Sequence, residues 1–127
     1  MVRVLLICLA GAIGTGARYW ASDVALRVLG PAFPYGTLLV NVVGSFVLAA
    51  IMYASVSAGV LSPTMRLVFG TGFCGGFTTY STFNYETMKY LQAGAYGLAA
   101  ANIAGTLVAC MAAGFAGWTV AGWLLTR

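Results

Sequence analysis

Ionised side chains occur at few places in this sequence: Arg3, Arg18, Asp23, Arg27, Arg66, Glu86, Lys89 and Arg127. From Arg27 to Arg66, and again from Lys89 to Arg127, none interrupts the chain. That spacing is the strongest constraint on the fold. Only 6% of the residues are charged and 61% are apolar, against about 25% charged in an ordinary soluble domain. Such a chain cannot cover a water-facing surface, so the bilayer is the solvent it fits.

A helical span takes roughly 20 residues, so a chain of this length holds four with short loops, in a single four-helix transmembrane domain, residues 1–127. Charges and helix breakers place them at about 4–20, 35–58, 66–92 and 96–125. Arg3 opens the first, and Arg18 and Asp23 stand near its end. Pro31 and Pro34 punctuate the next loop, flanked by the interfacial aromatics Tyr19, Trp20 and Tyr35. Gly59, Ser62 and Pro63 make the following turn. The fourth segment exceeds a perpendicular span, which predicts tilt or a trailing interfacial piece near Trp118 and Trp123. Arg3 before an apolar run also gives the first segment the look of a signal peptide. Gly11, Gly14 and Gly16 interrupt that run, however, and Arg18 falls where small cleavage-site residues belong. The segment therefore reads as a span.

The loop charges barely orient the chain. Four spans put Arg3, Arg66 and Arg127 on one side of the membrane and Arg27 and Lys89 on the other, with Arg18 close to that second boundary. Either a small bias suffices in a chain with few charges, or both orientations insert and two copies assemble antiparallel. The net charge of +4 is spread along the chain and forms no polybasic patch for nucleic acid or anionic lipid.

Catalytic constellations are scarce. There is no His, and the two carboxylates, Asp23 and Glu86, stand toward the ends of different spans. Cys8, Cys74 and Cys110 lie in three apolar segments without CxxC spacing and read as small packing residues. The chain is therefore not expected to be an enzyme. Its small residues form packing faces instead: Gly11, Gly14 and Gly16 in the first span, and Gly97, Ala101, Gly105, Ala109, Ala113 and Gly117 in the fourth. These faces predict a compact, oligomeric bundle.

One stretch does not fit a helix that merely fills lipid: Gly72-Phe73-Cys74-Gly75-Gly76-Phe77-Thr78-Thr79-Tyr80-Ser81-Thr82-Phe83-Asn84-Tyr85-Glu86. Its glycines and hydroxyls predict that the third helix breaks within the membrane, which is tolerated only against protein or a wet cavity. Thr37, Asn41 and Ser45 share one face of the second span, and Asn102, Thr106 and Cys110 repeat that spacing in the fourth. An amide in hydrocarbon needs a partner, so these stripes either lock helices together or line a narrow wet track. Hydroxyls and amides serve either ion sign. Phe77, Tyr80 and Phe83, three apart, line one side if that segment is helical, and ring edges are electropositive. A cation would need a carboxylate or a ring of carbonyls; Glu86 at the rim and the Gly75-Gly76 turn could supply them. The residues favour a small anion.

Three motifs then carry a resemblance. Gly72-x-Cys74-Gly75-Gly76-x-Thr78-Thr79-x-Ser81-Thr82-Phe83-x-x-Glu86 resembles the signature of the Fluc/CrcB fluoride channel family. Gly36-Thr37-Leu38-x-x-Asn41-x-x-Gly44-Ser45 is similar to that family's second-span motif, and Gly11-x-x-Gly14-x-x-x-Arg18 to its first. The resemblance extends over essentially the whole chain.

It implies a passive, fluoride-selective channel in a bacterial plasma (inner) membrane, multi-pass, built as an antiparallel dual-topology homodimer with two pathways along the subunit interface. It also implies a central sodium ion, structural rather than transported, held by the backbone carbonyls of Gly75 and Thr78 from both subunits. Asn41 then stands at a pathway mouth, Phe83 presents a ring edge, Ser81, Thr82 and Glu86 flank the same path, and Arg18 lies in the vestibule. Two positions depart from the family pattern. Tyr80 takes the place of a ring-edge phenylalanine, and Ile103 stands where a tyrosine is frequent beside the asparagine, which shifts the fourth-span track to Asn102 and Thr106. Two other classes compete with this reading. A four-span multidrug-type antiporter would need a mid-membrane carboxylate in the first span, which contains none; a non-conducting assembly subunit would use the polar stripes only for packing.

Overall fold

A computed structural model describes residues 1–126; Arg127, which the charge count places beside Arg3 and Arg66, lies outside the described residues. These are helical with no strand among them. The first helix, α1, runs Val2–Leu29. It continues well past residue 20, where the sequence puts the end of the span, because no breaker intervenes before Gly30 and Pro31. Arg27 meets Asp23 one turn earlier at 2.8 Å, a pairing that supports an exposed helical turn by a few tenths of a kcal/mol. Gly30 ends the helix with φ of 79°, a conformation that costs glycine little.

Helix α2, Tyr35–Met52, follows the Pro-containing loop and continues as a wider π-helical turn over Tyr53–Ser57. The third segment is composite. Ser62 caps α3, Pro63–Arg66, by accepting from the Met65 N–H at 3.2 Å, with Pro63 in the first turn where its missing N–H costs nothing. Leu67–Cys74 is π-helical and α4 is Gly75–Phe77. Thr78 and Thr79 then adopt extended dihedrals, and α5 resumes over Tyr80–Gln92. Gly94, at φ of 71°, turns the chain into α6, Tyr96–Leu125. Three stretches, Val2–Leu29, Tyr35–Ser57 and Tyr96–Leu125, are long and apolar enough to cross a bilayer. The chain is a multi-pass membrane protein.

Small residues decide how these helices meet. A Cβ at Gly14 would collide with the carbonyl of Phe73, and one at Gly76 with the carbonyl of Gly11. At Gly72 it would sit 2.8 Å from the Ile7 oxygen. The α1 backbone therefore lies directly against the third segment, the close approach that substitutes for a hydrophobic driving force in lipid. The most extensive contact is α2 on α6, where Gly117 abuts the Phe46 carbonyl. The small stripe of α6 is not all used this way. Gly97 and Gly105 face open space, and Gly16 of α1 does too. The interior is correspondingly thin and mixed: Ala25, Val40, Cys74, Ala99 and Ala121 are buried beside Thr37, Thr79, Thr87, Asn102 and Thr106. Large apolar side chains such as Ile13, Leu107, Met111 and Phe115 point outward, as lipid requires.

Candidate functional site

The polar stripe of α2 faces the interrupted third segment. Asn41 holds Thr79 by both edges of its amide: Nδ2 donates to the Thr79 carbonyl at 3.0 Å, and Oδ1 accepts the Thr79 N–H at 2.8 Å. One turn earlier, the Thr37 hydroxyl donates to Glu86 Oε1 at 2.8 Å. One turn later, Ser45 donates to the Asn41 carbonyl at 2.7 Å. Gly44 leaves room for the Thr78 methyl, which a side chain there would strike. Val40, next to Asn41 in the helix, is fully buried.

The interruption frees carbonyls in a specific way. In an unbroken helix the Gly75 carbonyl would accept from the Thr79 N–H and the Thr78 carbonyl from the Thr82 N–H. Here the first donor goes to Asn41. The second goes to Thr79 Oγ1 at 3.2 Å, the cap of α5. Gly75 is exposed, with nothing near its Cα face. The Thr78 amide and hydroxyl both turn back to the Cys74 carbonyl at 2.9 Å. Among the described residues no cluster of three His, Cys, Asp or Glu side chains occurs.

A cavity of about 450 Å³ opens where α2, the interruption and α6 meet. Asn41, Ser45, Thr78 and Thr106 give it polar spots, and Tyr80, Phe83, Leu48, Ile103 and Leu107 its apolar wall. The Tyr80 and Phe83 rings lie 5.5 Å apart and tilted at 53°, with Tyr80 78% exposed at the mouth. Phe77 does not join them. It lies before the interruption and stacks on Phe73 at 5.7 Å, because a three-residue spacing aligns side chains only within continuous helix.

The other sequence-named residues are placed as follows. Ser81 is exposed and Thr82 half-buried, and both hydroxyls stand by Thr79 Oγ1, at 3.4 and 3.0 Å. Glu86 lines two smaller cavities, of about 290 and 210 Å³, beside the α1–α2 loop. Its Oε2 is buried without a hydrogen-bond partner among the described residues. Arg18 is half-buried and pairs with no carboxylate among the described residues. Thr106 and, one turn on, Cys110 both line the cavity. Asn102 does not line the cavity; it is 1% exposed, between α5 and α6.

Two residues that matter here carry weak sequence signals. Thr79, 7% exposed, is the hub of the interruption, and its hint is a hydroxyl residue three before Thr82 at a helix start. Thr87, 6% exposed, gives no hint beyond being a hydroxyl residue in a span.

Residues 5–118 match the family described as CrcB-like protein, Camphor Resistance (CrcB). The chain is 52% identical over 124 residues to a protein of Anaeromyxobacter dehalogenans named fluoride-specific ion channel FluC, covering 98% of each. A protein of that name from Sorangium cellulosum is 50% identical over 121 residues, covering 95% of each. Another, from Geobacter sulfurreducens, is 41% identical over 117 residues, covering 92% of this chain and 94% of its own.

Proposed function

The chain belongs to the CrcB family, and from that premise we propose that it is a fluoride-selective passive channel of the bacterial inner membrane, working as an antiparallel homodimer. The observation that carries this reading is the one-sided cavity, which places the Asn41 amide and the Phe83 ring together beside an interrupted helix.

Fluoride is small and strongly hydrated, so a selective path must bring donors close enough to replace water while excluding larger halides. Asn41 keeps one Nδ2 hydrogen beyond its bond to Thr79. Ser81, Thr82 and Thr106 supply hydroxyls, and Tyr80 and Phe83 offer electropositive ring edges. Glu86, held by Thr37, closes the far end, and Arg18 raises the local anion concentration at a mouth. In an acidic medium the neutral acid diffuses inward and dissociates in a less acidic cytoplasm. The channel then lets the trapped anion leave down its electrochemical gradient, without a coupled reaction.

The cavity opens at the surface of one chain, with Tyr80, Ile103 and Leu107 exposed along its wall. A second copy covering that face would close it into a pathway, and the near-balanced loop charges favour pairing in opposite orientations. The same pairing would bring the Gly75 and Thr78 carbonyls of two chains to one sodium ion. These oxygens fit a hard, singly charged cation because each has lost the amide that would otherwise occupy it. Bound there, the ion would neutralise converging carbonyl dipoles and fix the interruption in place.

Fluoride release from proteoliposomes, followed with a fluoride electrode, tests the proposal. Selective passive release without a proton gradient is expected. Proton-coupled drug uptake would point to an antiporter, and no flux at all to an assembly subunit.

A further inference from the structure

Helix α5 carries Tyr80 and Phe83, and little apolar packing holds it. Its outer face bears Tyr85 and Met88, it touches α2 at few points, and α6 is its main neighbour. Besides an exposed bond from the Tyr90 hydroxyl to the Ala32 carbonyl at 3.4 Å, two polar ties from neighbouring helices fix its rotation, and they land on adjacent residues. From α2, Thr37 donates to Glu86 at 2.8 Å. From α6, Asn102 Nδ2 donates to Thr87 Oγ1 at 3.0 Å. Thr87 Oγ1 in turn donates to the carbonyl of Phe83 at 2.8 Å, and Thr106 Oγ1 donates to Asn102 Oδ1 at 3.4 Å. Thr106 lines the cavity, whereas Asn102 and Thr87 are buried behind it.

We infer that Asn102 is a positioning residue for the ion path: through Thr87 it sets the rotation of α5 and hence the ring edge of Phe83, and through Oδ1 it aims the Thr106 hydroxyl of the opposite wall. The physical basis is leverage. Phe83 stands one turn from Thr87 on the same side of a 13-residue helix, so releasing Thr87 lets the rings turn while the backbone stays helical. A hydroxyl that back-bonds to the carbonyl four residues earlier also bends its helix, and Asn102 fixes the direction of that bend by fixing the rotamer. Buried polar networks of this kind specify one geometry when every member is satisfied, and here both ends of the Asn102 amide are engaged.

The inference rests on the fluoride-channel reading, and the test separates the two. Asn102→Leu keeps side-chain volume and leaves no buried orphan: Thr87 retains its bond to the Phe83 carbonyl, and Thr106 can turn to the carbonyl of residue 102 on its own helix. Thr87→Val removes the hydroxyl from the other partner, and Thr87→Ser restores it. Each variant is purified, checked for assembly size and thermal unfolding, and assayed in proteoliposomes for fluoride and chloride release. Asn102→Leu and Thr87→Val are expected to release fluoride roughly tenfold more slowly, the scale of one lost hydrogen bond, and to discriminate less against chloride. Their combination is expected to be no worse than either alone, and Thr87→Ser to behave as wild type. Variants that assemble and release both ions at wild-type rates overturn the inference, as do variants that lose stability but keep the fluoride-to-chloride ratio. Wild-type protein that releases no fluoride overturns the channel reading and the inference with it.

Discussion

Asn41 commits both edges of its amide to Thr79, so two functions meet in one side chain: it faces the cavity, and it keeps the Thr79 N–H from closing a helical turn on Gly75. Asn41→Asp tests the first function most severely. A carboxylate can still accept from the Thr79 N–H, but it loses the donor to the Thr79 carbonyl and puts a negative charge on an anion path. Two like charges at contact distance repel by about 4 kcal/mol at a typical protein dielectric. Fluoride release should therefore fall at least about a hundredfold, and undiminished release would remove Asn41 from the path. Phe83→Ile isolates the ring: bulk is retained and the electropositive edge lost. An aromatic contact is worth roughly 1 kcal/mol beyond its area, so a several-fold slowing is expected in the same assay. Tyr80→Phe asks whether the hydroxyl at the mouth matters, since it removes the oxygen and keeps the ring.

Elements meet here through backbone. Gly14 and Gly76 press α1 against the third segment so closely that each would-be methyl meets a carbonyl oxygen, whereas Gly16 faces nothing. Gly14→Ala should therefore cost about 1–3 kcal/mol, the range for overpacking, and Gly16→Ala close to nothing. Thermal unfolding in detergent compares the two, and equal stability would contradict the packing. The interrupted segment was partly legible in the sequence. Gly75-Gly76 followed by hydroxyls announces a weak point, but the chain stays helical through both glycines to Phe77 and departs at Thr78 and Thr79. The reason lies elsewhere in the chain, in Asn41 and in the space left by Gly44. The same holds for the α6 stripe: Asn102, Thr106 and Cys110 share a side of α6, yet only the structure shows that Asn102 looks into α5 and that Ile103 and Leu107 share the cavity wall.

For the whole molecule, orientation is the quantity to measure. Ala32 lies exposed in the α1–α2 loop, and a cysteine placed there can be labelled with a thiol reagent that does not cross the membrane. If both orientations insert, about half of the chains should react from each face of an intact cell membrane, the outcome a near-zero loop bias implies. Labelling confined to one face would remove the antiparallel dimer.

What the sequence determined by itself is the solvent and the class of structure. With so few charges, each set at or near the end of an apolar run, the chain has only the bilayer to fold in, and backbone exposed to lipid must satisfy its own hydrogen bonds, which runs of this length do as helices. The polar residues around Asn41 and the glycines and hydroxyls around Gly75 were visible as well, as departures from otherwise apolar runs. The tertiary structure decided which donor meets which acceptor. That Thr79 closes on Asn41 rather than on Gly75, and that Asn102 stands one layer behind the cavity, depends on where α2 and α6 lie relative to the interruption. Close contacts at Gly14 and Gly117 with backbone, and at Gly44 with the Thr78 methyl, set those positions, and residue spacing along a single helix carries no record of them.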